Sequence, residues 1–432
     1  MSKNKKIYVI GGGTLAHISN HFAITAPAYG TTARALIKIM AEDSRFKVFD
    51  KELHLTKMAG GDKLETNDDI RNLVTEIKAN PMAKIVFFNA AIVDYIPAFL
   101  NGYEAGAENM EHGLPHLFTT EFGKHVGRLE TSKTSIVELN LVPDEKIIAT
   151  IRQGRKDIFL VGFKSTCGDD EKTMYLKGLN LLKKGSVNLV LVNDTKNHTN
   201  MIVTPEEAAY HVTTDRDLAL RQLVDIAWYR SHLTFTQSTV IEGKPISWNS
   251  DLVPNSLREA VNHCINGKAY KPFNGSTVGH FAVKLSDTEF LTSIRKSDFN
   301  KLDEIGLVKV ITDGPDTVLA YGAKPSVGGQ SQRIVFKDHP GFDAILHFHS
   351  PLKANHRDSI PVVSQREVEC GSHQCGKNTS NGLKQFGNLK CVMLDSHGPN
   401  IVFNKDIDPK EVIDFIEANF DLAEKTGGYN IT

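Results

Sequence analysis

The chain is short of several things that would place it in a special class. Cysteine is scarce: five residues (Cys167, Cys264, Cys370, Cys375 and Cys391) in 432, an odd number with no C-x-x-C pair. That excludes a disulfide scaffold and fits a reduced, cytoplasmic protein. An excess of either charge is missing, with 50 Lys+Arg against 51 Asp+Glu. No bulk field therefore draws the chain to nucleic acid or to a membrane surface. Long apolar runs are also missing. Stretches such as Ile85–Val93 fall far short of the roughly 20 residues that a bilayer requires. Internal repeats and low-complexity tracts are absent. The start, MSKNKKIYVIGGG, reads as a first strand and its turn rather than a secretory signal.

What is present is an ordinary globular balance, 41% hydrophobic and 23% charged. At roughly 100–200 residues per domain the length predicts two or three domains. The first half alternates strands (Ile7–Ile10, Lys84–Asn89, Ile158–Phe163, Asn188–Val192) with helices. The helices are expected over Thr31–Ala41, Asn67–Ala79, Asp144–Ile151, Glu171–Lys184 and an amphipathic Asp217–Tyr229. Strands without polar alternation, spaced by helices, predict an α/β fold: a doubly wound, Rossmann-like parallel sheet. Ligands of such sheets bind beyond the carboxyl ends of the strands. The pattern weakens over Glu242–Pro254, which predicts domains at 1–245 and 253–432. The second half mixes helices (Asn255–Asn266, Pro409–Ala418) with short strands (His280–Leu285, Leu307–Thr312, Ala344–Phe348, Cys391–Leu394, Ile401–Phe403). That predicts a layered αβα domain.

Four segments at strand ends stand out in the first half. Gly11-Gly12-Gly13-Thr14 lets backbone amides approach an anion and adds a hydroxyl. It is neither a P-loop nor a complete G-x-G-x-x-G, and the same glycines serve any tight βα turn. Phe88–Pro97 (FNAAIVDYIP) closes a buried strand with small residues and a carboxylate. Val161-Gly162-Phe163-Lys164 and Leu189–Asp194 (LVLVND) end two further strands.

In this order, across about Ile7–Val212, the segments resemble the phosphopantothenate–cysteine ligase family of coenzyme A assembly. The resemblance implies activation of a carboxylate by CTP or ATP, with magnesium accompanying the nucleotide, and amide formation with an amine. It implies a nucleotide site of Gly11, Gly12, Gly13, Thr14, Asn89, Ala90, Asp94, Phe163, Lys164 and Asn193. Arg128 falls where the family has a flap lysine, with Lys133 as an alternative cation. Asp94 also suits a cap, and Phe163 also suits the core. Two positions depart from the family. Ala26-Pro27-Ala28-Tyr29-Gly30 stands where the family has Asn-x-Ser-Ser-Gly, and Thr166-Cys167 where it has Glu-Thr.

In the second half, His347-Phe348-His349-Ser350-Pro351 follows a strand, and residues two apart on a strand project to one face. His397-Gly398 follows another apolar strand. Three neutral imidazoles with one open position describe a catalytic zinc site, at which the metal acts as a Lewis acid. The bland alternative is a set of hydrogen-bonded histidines.

Over about Ser256–Phe420 these residues, with Ser276–Val283, Phe290–Ser293 and Lys324-Pro325-Ser326, resemble the class II aldolase/adducin family. The resemblance implies zinc, or another divalent metal, at His347, His349 and His397, and lyase or isomerase chemistry on a sugar-phosphate-like substrate. Gly328 stands where active members carry a carboxylate, and Gly279-His280 where they have Gly-Asn. Asp338, His339 and His373 are the substitute acid–base candidates. Cys370–Cys375, with His373 between the thiols, has the types for a soft-metal site, but reads better as a Gly-led turn into a helix near the site. The expectation is a bifunctional, cytoplasmic enzyme of small molecules and nucleotide, with homo-oligomerisation implied by resemblance. The alternative is a ligand-binding or scaffold protein that retains both folds.

Overall fold

The structure, a computed structural model, describes residues 4–97, 116–117, 123–128, 136–137, 139–326, 329–356 and 359–430. By its contacts the chain forms two compact units: Met1–Lys164 with Asn180–Leu191, and Ser165–Leu179 with Val192–Thr432.

The first unit is organised by β1 (Lys5–Gly13), α1 (Thr31–Glu42), β2 (Phe49–Leu55), α2 (Asn67–Ala79) and β3 (Ala83–Ala91). Then come β4 (Phe159–Thr166), α3 (Glu171–Gly185) and β5 (Leu189–Asp194), which contribute to both units. The strand order is β2-β1-β3-β4-β5. β1 runs parallel to β2 and β3, and β4 parallel to β3. This is a doubly wound order, and its direction of travel reverses between β1 and β3. The strand interiors carry no polar face because both sides are covered: Ile7, Val9, Ile85 and Val161 are all buried. Helix α2 starts where the sequence places it. Thr66 accepts from Asp69 N while the Asp69 carboxylate accepts from Thr66 N, which closes a capping box. Its buried residues Ile70, Leu73, Val74 and Ile77 follow helical spacing.

One expected helix is not formed. Over 144–151 there is only a 3₁₀ turn, Ile147–Thr150, after a short strand, Leu141–Pro143. The Asp144 carboxylate is occupied by Asn67 Nδ2 (2.6 Å), Arg71 and its neighbour's amide, Glu145 N (2.7 Å), and so does not cap a helix.

The second unit begins with the antiparallel pair β6 (Asn200–Val203) and β7 (Ala209–Thr213), followed by α4 (Arg216–Ser231). Helix α4 is amphipathic as expected: Ala219, Leu220, Leu223, Val224, Ile226, Ala227 and Arg230 are buried on one face.

The remainder is β8 (Gln237–Ile241), α5 (Asn255–Asn266), β9 (His280–Lys284), β10 (Glu289–Ser293), β11 (Leu307–Thr312) and β12 (Thr317–Tyr321). It continues through α6 (Gly329–Asp338), β13 (Ala344–His347), α7 (His373–Gly382), β14 (Leu389–Leu394), β15 (Gly398–Phe403) and α8 (Pro409–Asn419). The sheet order is β8-β12-β11-β10-β9-β13-β15-β14, followed by Val362–Val363 at the edge. Alternation splits its side chains between two layers. Phe281, Leu346 and Phe403 pack with α5 and α8 through Leu257, Val261 and Ile416. Ala282, Ile345 and Val402 pack with Val335 and Phe336 of α6. The expected αβα layering is what forms. Among the described residues no helix is long and apolar enough to cross a membrane.

Candidate functional site

β13 carries His347 into the layer that also holds α6. Register puts His280 of β9 on one side of it and Asn400 of β15 on the other. The strand end is gripped at two glycines. At Gly279 (φ +113°) a Cβ would lie 2.7 Å from His347 O. At Gly398 (φ +149°) it would lie 2.0 Å from Phe348 O. Only glycine permits this approach at these dihedrals. The β14–β15 turn, with Ser396 at φ +57°, then brings His397 over the pair from β13.

The result is a buried triad. His347, His349 and His397 each offer a nitrogen, and the three atoms lie within 4.8 Å of one another. His347 Nδ1 donates to Pro399 O (2.7 Å), which leaves the Nε2 lone pair facing inward. Its Nε2 stands 3.3 Å from His397 Nε2. Two zinc ligands at ~2.0–2.1 Å in tetrahedral array are separated by roughly that distance. Burial holds His347 neutral, its pKa pushed down to about 4, against the upward pull of the Pro399 hydrogen bond. Burial first, and the positive charge of Arg230 after it, keep His397 well below the ordinary range, where protonated neighbours at His347 and His280 would lower it further. Neutral imidazoles are the form that binds a metal.

The surroundings are polar and suit a bound ligand. His397 Nδ1, Ser350 Oγ and Asn400 Oδ1 are buried without a hydrogen-bond partner among the described residues. Such orphans are uncommon in native interiors and call for a bound species. The donor set therefore fits a divalent metal with nitrogen preference.

Sequence reasoning did not find the contact between His280 and Gln332. Gln332 Nε2 lies 2.7 Å from His280 Nδ1, and Gln332 Oε1 accepts from Thr292 Oγ1 (2.8 Å). This fixes the His280 ring, whose centroid is 4.8 Å from that of His347. Gly279-His280 was a sequence signal; Gln332 had none. The acid–base candidates make other contacts. Asp338 accepts from Ser380 Oγ (2.8 Å), His373 pairs with Asp316 (2.9 Å), and His339 Nε2 lies 3.0 Å from Ser380 O. The Cys370–Cys375 segment does form a turn into a helix, with Ser372 capping α7 at Cys375 N. Gly328 lies outside the described residues.

In the first unit the expected nucleotide residues gather at the carboxyl edge of the sheet. Gly11 pairs with Asn89 and Gly12 with Ala90, while Phe163 follows the Gly162–Phe88 pair. Asp94 and Lys146 form an exposed ion pair, and Arg128 and Lys164 are exposed. Asn193 is half-buried on β5 in the second unit. Lys133 lies outside the described residues.

Gly11–Gly13 does not turn directly into a helix as expected: it ends β1, and a hairpin of Leu15–Ser19 with Phe22–Thr25 precedes α1. The Gly13 and Thr14 polar groups in this segment are occupied. Gly13 N donates to Ala28 O (2.8 Å) and Thr14 N to Ala91 O (2.9 Å). The Thr14 hydroxyl donates to Asn67 Oδ1 (2.6 Å) and accepts from Val93 N (3.0 Å). At Gly12 (φ +101°) a Cβ would fall 2.1 Å from Thr56 Oγ1, so the turn is glycine for packing reasons as well.

No family model matches the chain, and no curated protein matches it. Solved structures do. The DNA/pantothenate metabolism flavoprotein from Streptococcus pneumoniae is 18% identical, covering 51% of this chain and 97% of its own, with a TM-score of 0.40. The C-terminal domain of the coenzyme A biosynthesis bifunctional protein CoaBC is 16% identical, covering 52% and 94%, with a TM-score of 0.36. The L-fuculose-1-phosphate aldolase from Thermus thermophilus is 17% identical, covering 38% and 85%, with a TM-score of 0.28.

Proposed function

We propose that the chain is a cytoplasmic, homo-oligomeric metabolic enzyme with two functional domains, 1–245 and 253–432. The second holds zinc, or another divalent metal, at His347, His349 and His397. It acts as a lyase or isomerase on a hydroxy-carbonyl compound of the sugar-phosphate kind. The observation that carries this reading is the buried triad itself, neutral, with His347 aimed by the Pro399 carbonyl. A bound divalent metal would supply Lewis-acid stabilisation of an enediolate-like charge. The protein's own contribution is to orient the imidazoles, to exclude water with the packed walls of β9, β13 and β15, and to offer Asn400 and Ser350 as polar contacts for a substrate. Asp338 and His373 are the candidates for proton transfer.

For the first domain we propose binding of CTP or ATP, with magnesium, at Gly11–Thr14, Asn89, Ala90, Asp94, Phe163, Lys164 and Asn193, with cations from Arg128 or Lys133. The activity would be carboxylate activation and ligation. A second reading, a ligand-binding or scaffold protein with both folds, is favoured by one observation: the Gly13 and Thr14 amides already serve protein carbonyls.

Metal analysis of the purified chain separates these readings for the second domain. The enzyme reading expects about one equivalent of zinc per chain, lost in His347→Ala. Folded protein that takes up no divalent metal would sink it.

A further inference from the structure

A short turn on the β6–β7 connection places two adjacent buried carboxylates back to back. Thr204 N donates to Ala208 O (3.1 Å) and Glu207 N to Thr204 O (2.9 Å), with Glu207 at φ +64°. Glu206 takes a two-pronged ion pair from Arg230 (2.6 and 3.0 Å). Arg230 in turn donates to the backbone carbonyls of Gln365 (3.3 Å) and Arg366 (3.0 Å). Glu207 pairs with Lys425, both side chains 2% exposed.

Lys425 begins a chain segment that presses on the histidine centre. Thr426 N donates to His349 O (3.1 Å). Gly427, at φ +73°, runs so close to the turn before His397 that a Cβ there would sit 1.9 Å from Ser396 O. Gly427 O accepts from Ala209 N (2.6 Å), and a Cβ at Gly428 would meet Glu207 O at 2.5 Å and the Tyr175 hydroxyl at 2.6 Å. The segment is held on one side by the Glu207 turn and on the other touches the backbone of His349 and of Ser396, the residue before His397.

We propose that Glu207 and Lys425 are positioning residues of the histidine centre. Their pairing clamps the segment that sets His349 and the Ser396–His397 turn. This rests on the metal reading above for its ligand, but its geometry does not. A buried ammonium stripped of its carboxylate must be rehydrated or displaced, and the segment moves with it. Residues that orient metal ligands from behind change affinity by roughly 10–100-fold when removed.

The test is zinc affinity of the full chain, measured by competition with a chromophoric chelator, in Glu207→Gln and Lys425→Met. Hydrogen exchange at 349–350 and 396–398 is followed in the metal-free proteins. Affinity is expected to fall roughly 10–100-fold, with faster exchange at both segments. Lys425→Arg should recover most of the loss. Glu206→Gln is the matched control, because it cuts an equally buried pair that fastens 365–366 instead, and it should stay within roughly threefold of wild type. Unchanged affinity and exchange in both pair variants would overturn the proposal, and so would an equal loss in Glu206→Gln. If wild type binds no zinc, the metal reading fails and exchange alone decides the clamp: faster supports it, unchanged overturns it. If Glu207→Gln fails to fold, Gly427→Ala carries the same readouts.

Discussion

At the glycine turn of the first unit, the Gly13 and Thr14 amides and the Thr14 hydroxyl are all used by the protein itself. At the histidine centre of the second unit, His397 Nδ1, Ser350 Oγ and Asn400 Oδ1 are buried and unpartnered among the described residues. Both lie at strand ends, where their fold classes put ligand sites. A site that satisfies its own donors loses little when empty, though at the glycine segment Thr56 Oγ1, against Gly12, is also buried without a partner among the described residues. A site with orphaned polar atoms is short of something until it is filled.

The largest test of this contrast is the stabilisation each region gains from its ligand. Zinc at about 1,000 times its dissociation constant should raise the unfolding free energy by ~4 kcal/mol. His347→Ala should remove that gain, as read by thermal melts with and without chelator. Equal melting temperatures in zinc and in chelator would break the contrast at its stronger end.

Next in size is the cost of opening the network of the first unit. Asn67 joins Thr14, the Val93 carbonyl (2.9 Å) and Asp144 (2.6 Å) through one buried amide. Asn67→Ala strands those groups and should cost about 1–3 kcal/mol in urea unfolding. A loss below the measurement error would mean that the turn is not internally satisfied, and the two regions would no longer differ in kind.

Much of this was legible beforehand where local signals agree. Asn67–Ala79, Asn255–Asn266 and Leu307–Thr312 form over the residues their patterns predict. His347 and His349 do converge, their ring centroids 5.0 Å apart, although β13 ends at His347 and His349 lies just beyond it. The illegible parts depend on distant partners. Asp144 reads as a helix start, but its carboxylate belongs to Asn67 and Arg71 more than 70 positions earlier. β8 carries no pattern of its own and forms by pairing with β12, Gln237 to Thr317. Glu206 and Glu207 look like a solvated acidic pair until Arg230 and Lys425 are found against them. Gln332 lies in a polar stretch, and only the fold reveals its contact with His280.

A smaller effect is expected from nucleotide. CTP or ATP with magnesium, at roughly ten times its dissociation constant, should add ~1.4 kcal/mol and shift the melting temperature modestly. Proteins with the Gly12→Ala change should lose that shift. Gly12 sits at φ +101° with Thr56 Oγ1 against the position of a Cβ. No shift with either nucleotide in folded wild type would sharpen the contrast, leaving the first unit as a self-contained fold.

The smallest effect concerns acid. Glu65 stands beside the turn, its carbonyl accepting from Leu15 N (3.0 Å). Lys124 and then Lys57, at 2.6 and 2.8 Å, hold its carboxyl down at about 2, below the ordinary 4.5. A folded-state pKa below the unfolded one gives stability that is fully present above pH 4.5 and is lost as pH falls toward 2. Because the two lysines are 48% and 44% exposed, water and salt screen the pair, and its worth should stay below about 1 kcal/mol. Glu65→Gln should therefore be slightly less stable than wild type at pH 6. The two should draw together as pH falls and converge near pH 2, and 1 M salt should shrink the gap. A gap that persists unchanged to pH 2 would mean that the carboxylate acts through packing rather than charge. The acid beside the turn would then be no part of the self-satisfied polar network.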